Sequence, residues 1–526
     1  MKILNNEVIY QVYPLTFNYA SGSKSDPYKG AYGNLKGVTA LVDYIASLGV
    51  DSIWITPFYP FGGTGFGYDI TNYTAIDPMF GTIEDLKELC EVYHAKGMRV
   101  IIDQVYNHCS DSHPWFLESV KRAEKYDDYF VWADAKGFDK DKKPIVPNNW
   151  IPIWNSHGDT AWEWSEERQQ FYLHSFDYSM PNLNINNKKV QDELLNIAKF
   201  WFDLGVDGFR LDAVTHYACD PLLRDNPIIK QGVNKGKQNR LYDINTKGGE
   251  IFLNRLKDLC NSYDVPKTLL AEYWFNTNPK EHKRISKLFS DSACDAFFTG
   301  ALNGGLKDFK KTIARDLSYI PNGTKINWAT SNHDLEREAS RVFGKTPTLE
   351  QKKMLMHLLT VLPGSICIYQ GQELGLANPK DFEKCKNQQC DPKSIWTNFG
   401  MPWDAARAGF AMSDKITDTT RQMALTPDNE QYKLAVSNQN YKDSMLNATR
   451  KYIKERKNFY LGDFGHIRFV RAVTNDDVIA FVRYNEKGSN CMLFVYNFGN
   501  KEISFVYKRK HYKVKAQSYL TDKLYL

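Results

Sequence analysis

The chain has 526 residues, 42% hydrophobic and 25% charged, without a repeated or low-complexity tract; this excludes a single small module, an intrinsically disordered chain and a collagen-like fibre. Lys and Arg number 67 against 62 Asp and Glu, an imbalance too small over this length to imply a nucleic-acid or anionic-surface partner. The 12 Trp, 31 Tyr and 30 Phe include rings suited to sugars or bases, although most aromatics fill cores.

The segment Met1–Glu7 meets charge before an apolar h-region forms, and no run of 18 apolar residues follows it. A cytoplasmic location is therefore expected, which makes the sequons at Asn72, Asn322 and Asn447 chance matches. The nine cysteines follow no disulfide or zinc spacing, so reduced thiols are expected.

In chain order, short apolar runs predict strands at Val8–Tyr13, Ser52–Thr56, Arg99–Asp103, Gly208–Asp212, Thr268–Glu272, Ala296–Gly300, Ile326–Thr330 and Ser365–Tyr369. Amphipathic segments such as Ile83–Lys96 and Leu349–Leu362 lie between them. Eight β-then-α units predict an α/β fold, a closed (β/α)8 TIM barrel formed by residues 1–108 and 178–460. Residues 109–177 are rich in Trp, Pro, Asn and Asp, show no helical period, and read as an inserted subdomain after the third strand. Alternating runs such as Val478–Val482 and Cys491–Val495 predict a C-terminal antiparallel β domain over 461–526. Its basic cluster, Lys508 to His511, reads as a solvated, aggregation-blocking face on an edge strand.

In such a barrel the reacting groups belong at the C-terminal ends of strands. There the sequence places Asp103, Asn107 and His108 at the end of the third strand, Arg210 and Asp212 on the fourth, Glu272 and Trp274 at the end of the fifth, and Asn332, His333 and Asp334 just after the seventh. Each acid alone is commonly a helix cap or an ion-pair partner; their coincidence on one face points to chemistry. The chain lacks a nucleophile elbow, H-E-x-x-H and paired C-x-x-C. The glycines between Gly62 and Gly67 open no helix and do not have dinucleotide spacing. A carboxylate metal site is one alternative; glycoside hydrolysis by two carboxyls fits better. Arg210, two residues before Asp212, points to the same side of the strand and would keep that carboxylate ionised, which favours Asp212 as nucleophile.

This ordered set, Asp103-x-x-x-Asn107-His108, Gly208-Phe209-Arg210-x-Asp212, Glu272-x-Trp274 and Asn332-His333-Asp334, resembles the four signatures of the α-amylase family, glycoside hydrolase family 13. Further stretches, including Phe66–Ile70, His113–Phe116, Tyr369–Gly375 and Met401–Trp403, are similar to its α-glucosidase and oligo-1,6-glucosidase branch. The resemblance implies a retaining α-glucosidic hydrolase with Asp212 as nucleophile, Glu272 as acid/base and Asp334 stabilising the transition state. Tyr68, His108, Arg210 and His333 would line the glucose subsite, and Asp103 would brace it. The implied substrate is a small-molecule or oligosaccharide α-glucoside, with no cofactor and no nucleic-acid or membrane partner. An endo-acting or transglucosylating relative is the alternative. A non-catalytic transporter heavy chain shares the fold, but it needs a membrane span and tends to lose the catalytic acids.

The chain departs from this branch at several positions. The Asp and Arg that usually close the pocket over the non-reducing end are replaced by Gly65 and by the arginine-free Trp396–Trp403, which predicts a more open pocket end. The first βα loop, Ser21–Asp26, has few carboxylates and ends Gly33-Asn34-Leu35, and Asn182 stands where Asp is usual, so no calcium is expected at either place. Ala213 after the nucleophile leans toward α-1,4 bonds. Cys385 and Cys390 read as plain thiols.

Overall fold

The structure, a computed structural model, describes residues 7–17, 33–63, 67–153, 159–231, 235–273, 298–301, 306–319, 326–334, 336–344, 346–378, 433–460, 466–485 and 491–524. Eight parallel strands close into a barrel: β1 Val8–Val12, β2 Ser52–Ile55, β3 Arg99–Gln104, β4 Gly208–Leu211, β5 Thr268–Ala271, β6 Phe298–Ala301, β7 Ile326–Ala329 and β8 Ser365–Tyr369, with β8 pairing back onto β1. These are the eight expected strands, with ends shifted by a residue or two. β1, β2, β4, β5, β7 and β8 are buried at every position, as parallel strands covered by helices must be.

Alternation along the strands sorts the side chains into layers. Ile9, Trp54, Ile101, Leu270, Ala329 and Cys367 meet inside the barrel, while Val8, Tyr10, Ile53, Val100, Phe209, Leu269 and Trp328 join the core beneath the helices. Gly208 is the register partner of Ile101, and a Cβ there would stand 2.6 Å from the Thr268 carbonyl oxygen, so β4 and β5 could not keep this approach with a larger residue. One step below this layer, Arg99 bonds Glu7 and, at 3.1 Å, Thr268, giving the barrel a polar floor. One step above it, the same alternation delivers Gln11, Asp103 and Arg210 toward the mouth.

The helices follow from local signals. Ile83–Ala95 starts in a Thr82/Asp85 capping box. Lys188–Asp203 buries Val190, Leu194, Ile197, Ala198, Trp201 and Phe202 at helical spacing, and Phe202 stacks on Phe209 of β4 with ring centroids 4.1 Å apart.

Between β3 and β4 the insertion builds a three-stranded antiparallel sheet from Trp132–Ala133, Gln170–Leu173 and Trp162–Ser165, packed around Trp150, Trp162, Phe171 and Leu173. The expectation of no helix here is corrected at Pro114–Val120. Pro114 opens that helix, and His113 caps it by accepting the Trp115 N–H at 3.0 Å; seven residues are too few for periodicity to reveal.

The C-terminal part is a four-stranded antiparallel sheet of His466–Phe469, Val478–Tyr484, Cys491–Asn497 and Ser518–Leu524. A separate hairpin, Ile503–Tyr507 with Lys510–Val514, joins its core. The basic cluster thus straddles a hairpin turn outside the main sheet, rather than lying along an edge strand of it. Two buried arginines meet the end of helix Leu349–Thr360, Arg456 from the last helical stretch of the barrel and Arg483 from the C-terminal sheet. Arg456 donates to the Thr360 and Leu362 carbonyls, both at 2.8 Å, and to that of Gly364, and Arg483 donates to Val361 O at 2.8 Å. They satisfy carbonyls that the helix leaves unpaired and oppose its negative end. Arg456→Met is expected to cost about 3 kcal/mol or more by stranding these carbonyls, seen as a lower Tm with activity per folded molecule retained.

Cys90, Cys109, Cys219, Cys260, Cys367 and Cys491 are buried and form no disulfide. Among the described residues no helix is long and apolar enough to cross a membrane.

Candidate active site

Asp103 and Arg210 are register partners on β3 and β4, and Asp212 follows β4 two residues after Arg210, on the same side. The guanidinium binds three carboxylates. Its Nη1 donates to Asp103 Oδ1 at 2.9 Å and to Asp212 Oδ1 at 2.8 Å, and its Nη2 lies 2.7 Å from Glu272 Oε2. The backbone supports this arrangement. Asp212 N–H donates to Gln104 O, and Glu272 N–H donates to Leu211 O. Ala213 then takes a left-handed turn, φ 46°, which directs its N–H onto Glu272 Oε2 at 3.0 Å. That conformation costs a non-glycine residue roughly 1–2 kcal/mol, and it continues the acid's hydrogen bonding where the strand has ended.

A second chain of contacts runs to β7. Gln11 Nε2 donates to His333 Nδ1 at 2.8 Å, which leaves the proton on Nε2, 2.6 Å from the Tyr68 hydroxyl and 3.3 Å from Asp334 Oδ2. Tyr68 stacks on His333 and donates to Asp103 Oδ2 at 3.1 Å. The Trp54 indole N–H donates to the same oxygen at 3.2 Å. Asp103 is therefore completely occupied from beneath, whereas the Asp334 side chain is 33% exposed at the mouth. His108 is buried beside Asn107, and Phe176 lies between the rings of His108 and His216, 5.2 and 5.1 Å away.

Burial and the neighbouring carboxylates raise Asp103 and Asp212, and Arg210 opposes that rise. Asp103 is pushed up to about 6 by burial, against the pull of Arg210. Burial also raises Asp212 well above the ordinary aspartate range, with Glu272 and Asp103 adding to the rise and Arg210 again opposing it. Asp103 and Asp212, sharing one cation, titrate as a pair.

All seven expected site residues, Tyr68, His108, Arg210, Asp212, Glu272, His333 and Asp334, lie at the mouth. Gln11, Trp54, Phe176 and the Ala213 N–H were not anticipated. Gln11 had a usable signal, a polar residue at an inward position of an apolar strand; Phe176 and the turn at Ala213 had none. Trp274, Gly65, Ser21–Asp26, Cys385, Cys390 and the 396–403 segment lie outside the described residues.

Among the described residues no group of three or more His, Cys, Asp or Glu is placed to hold a metal ion. Asn182 accepts the Ser175 N–H and donates to Ser175 Oγ, both at 2.7 Å, and reaches Asn107 at 3.4 Å. Asn34 accepts the Gly37 N–H at 2.9 Å and caps helix Leu35–Ala40.

A family model described as the α-amylase catalytic domain matches residues 11–462. An α-glucosidase of Apis mellifera is 31% identical over 509 residues, covering 94% of this chain and 85% of that protein. A probable α-glucosidase of Rhizobium meliloti is 38% identical over 418 residues, covering 74% and 71%. The crystal structure of an α-glucosyl transfer enzyme, XgtA, aligns with TM-score 0.83 and 30% identity over 98% of both chains.

Proposed function

The chain belongs to the α-amylase family, and from that premise we propose how the residues at its barrel mouth divide the work of cleaving an α-glucoside. It is a retaining glycoside hydrolase acting on α-glucosidic bonds. Asp212 attacks the anomeric carbon, and a glycosyl ester forms as the glycosidic C–O bond breaks. Glu272 protonates the departing oxygen, then takes a proton from the water that opens the ester. Asp334 holds sugar hydroxyls and stabilises the developing positive charge. Tyr68, His108, Arg210 and His333 line the attacked glucose, and Asp103 braces Arg210.

The observation that carries this reading is the Arg210 fork. Retention needs two carboxyls close to one another, and a guanidinium whose terminal nitrogens each hold one of them brings Asp212 and Glu272 side by side. Glucosyl transfer is the second reading, supported by the likeness to a transfer enzyme, because a sugar hydroxyl can open the ester in place of water. Residues 109–177 and 461–526 are taken as the inserted and C-terminal units around the barrel. A cytoplasmic setting is in keeping with six buried, unbridged thiols.

The test is a panel of maltose, isomaltose, sucrose, trehalose, maltotriose, starch and maltosides blocked at the non-reducing end. Ala213 leans the preference toward α-1,4 bonds, and retention makes the first-formed product the α-anomer. With Gly65 and Trp396–Trp403 lacking the usual clamp residues, blocked and unblocked maltosides are expected to react at comparable rates. Strict rejection of the blocked substrates contradicts the open pocket end, and release of the β-anomer contradicts the mechanism.

A further inference from the structure

Residues 501–515 contain six Lys or Arg and one acid, while the other 511 residues contain 61 of each sign. The whole excess of positive charge therefore resides in one hairpin and the three residues that flank it. Cross-strand pairs place Ile503 opposite Val514 and Phe505 opposite Tyr512 on its inner face, and Ser504 opposite Lys513 and Val506 opposite His511 on its outer face. Phe505 and Tyr512 stack at 5.2 Å and pack with Ile503, Tyr507 and Val514 on the C-terminal core. Lys508, Arg509, His511, Lys513 and Lys515 are exposed, and Val506 is 57% exposed among them. Lys510 is engaged with Asp522 at 2.7 Å; among the described residues it is the only one of the six cations in an ion pair.

The turn adds an independent observation. Lys508 and Arg509 both have positive φ, 49° and 66°, in a two-residue loop whose strain-free sequence is Asn-Gly. The chain keeps two cations at the tip in a backbone that disfavours them, and such strain gathers where a segment has a task.

We infer that this hairpin docks on an anionic lipid surface, with Lys508, Arg509, Lys513 and Lys515 meeting headgroups and Val506 entering the interface between them. A cluster of this size and a lone apolar side chain match the charge and depth of a headgroup layer. Single-stranded RNA fits less well, because Phe505, Tyr507 and Tyr512 face inward and leave no ring on which bases could stack. This departs from the expectations that no anionic surface is a partner and that the cluster is only a solvated, aggregation-blocking face.

The experiment is co-sedimentation of the full chain with phosphatidylcholine vesicles, with and without phosphatidylserine, alongside an RNA homopolymer at equal phosphate concentration. Binding is expected to the serine-containing vesicles only, and to disappear at high salt. At about fivefold per surface cation, K508N/R509G should lower it roughly 20-fold, as should K513Q/K515Q. K508N/R509G relieves the turn, so its Tm should not fall, and both variants should keep wild-type turnover. Equal binding to neutral and anionic vesicles, no binding to either, unchanged binding by both variants, or tighter binding of the RNA overturns the proposal.

Discussion

Asp212→Asn is expected to lower kcat by at least about 10³-fold, because an amide cannot form the glycosyl ester. Glu272→Gln should cost about 10²–10⁴-fold, and much less on a substrate whose leaving group needs no proton, such as α-glucosyl fluoride. This contrast separates the two roles. Asp212→Asn should also be at least as stable as the parent at neutral pH. Burial raises Asp212 in the folded protein, so the folded state binds more protons there than the unfolded chain. Stability is therefore lost as pH rises from the ordinary aspartate range through the raised pKa. Removing the acid removes that cost, so a variant that is inactive and melts lower than the parent contradicts the account.

Arg210→Gln is expected to lower kcat/KM by roughly 10²–10³-fold, the usual effect of losing one preorganised electrostatic partner. Its signature lies in pH dependence. Asp103 is already near 6 and Asp212 well above its ordinary range, with Arg210 opposing both rises. Without the guanidinium, repulsion among Asp103, Asp212 and Glu272 is uncompensated, so the acid limb of the kcat/KM profile must move to higher pH. Arg210→Lys should not restore activity, since a point charge cannot bind Asp212 and Glu272 on separate nitrogens. A reduced rate with an unmoved acid limb would leave Arg210 as a packing residue only.

The barrel was legible because each strand is a short apolar run followed by a helical period, and because strand alternation places Arg210 and Asp212 on one side. The carboxylate cluster was legible for the same reason, since four strand ends point to one mouth. The contacts that orient the cluster were not. Gln11 reaches His333 across 322 residues, and Trp54 and Tyr68 reach Asp103 from separate loops and strands; such pairings leave no local pattern. The left-handed turn at Ala213 goes against the residue's own preference, so propensity predicts its absence. The basic hairpin illustrates the opposite failure. The cluster from Lys508 to His511 was visible, but net charge averaged over the chain hid that fifteen residues carry the whole excess.

The central claim is that Asp212 carries the glucosyl group. It is tested most directly by incubating Glu272→Gln with α-glucosyl fluoride, quenching in acid, and mapping peptides by mass spectrometry. Fluoride departs without acid catalysis, while the missing base slows hydrolysis of the ester, so the intermediate should accumulate. The account predicts one anhydrohexose on the peptide containing Asp212, and none when Asp212→Asn is added. A hexose on any other residue, or rapid fluoride release by the double variant, would contradict it.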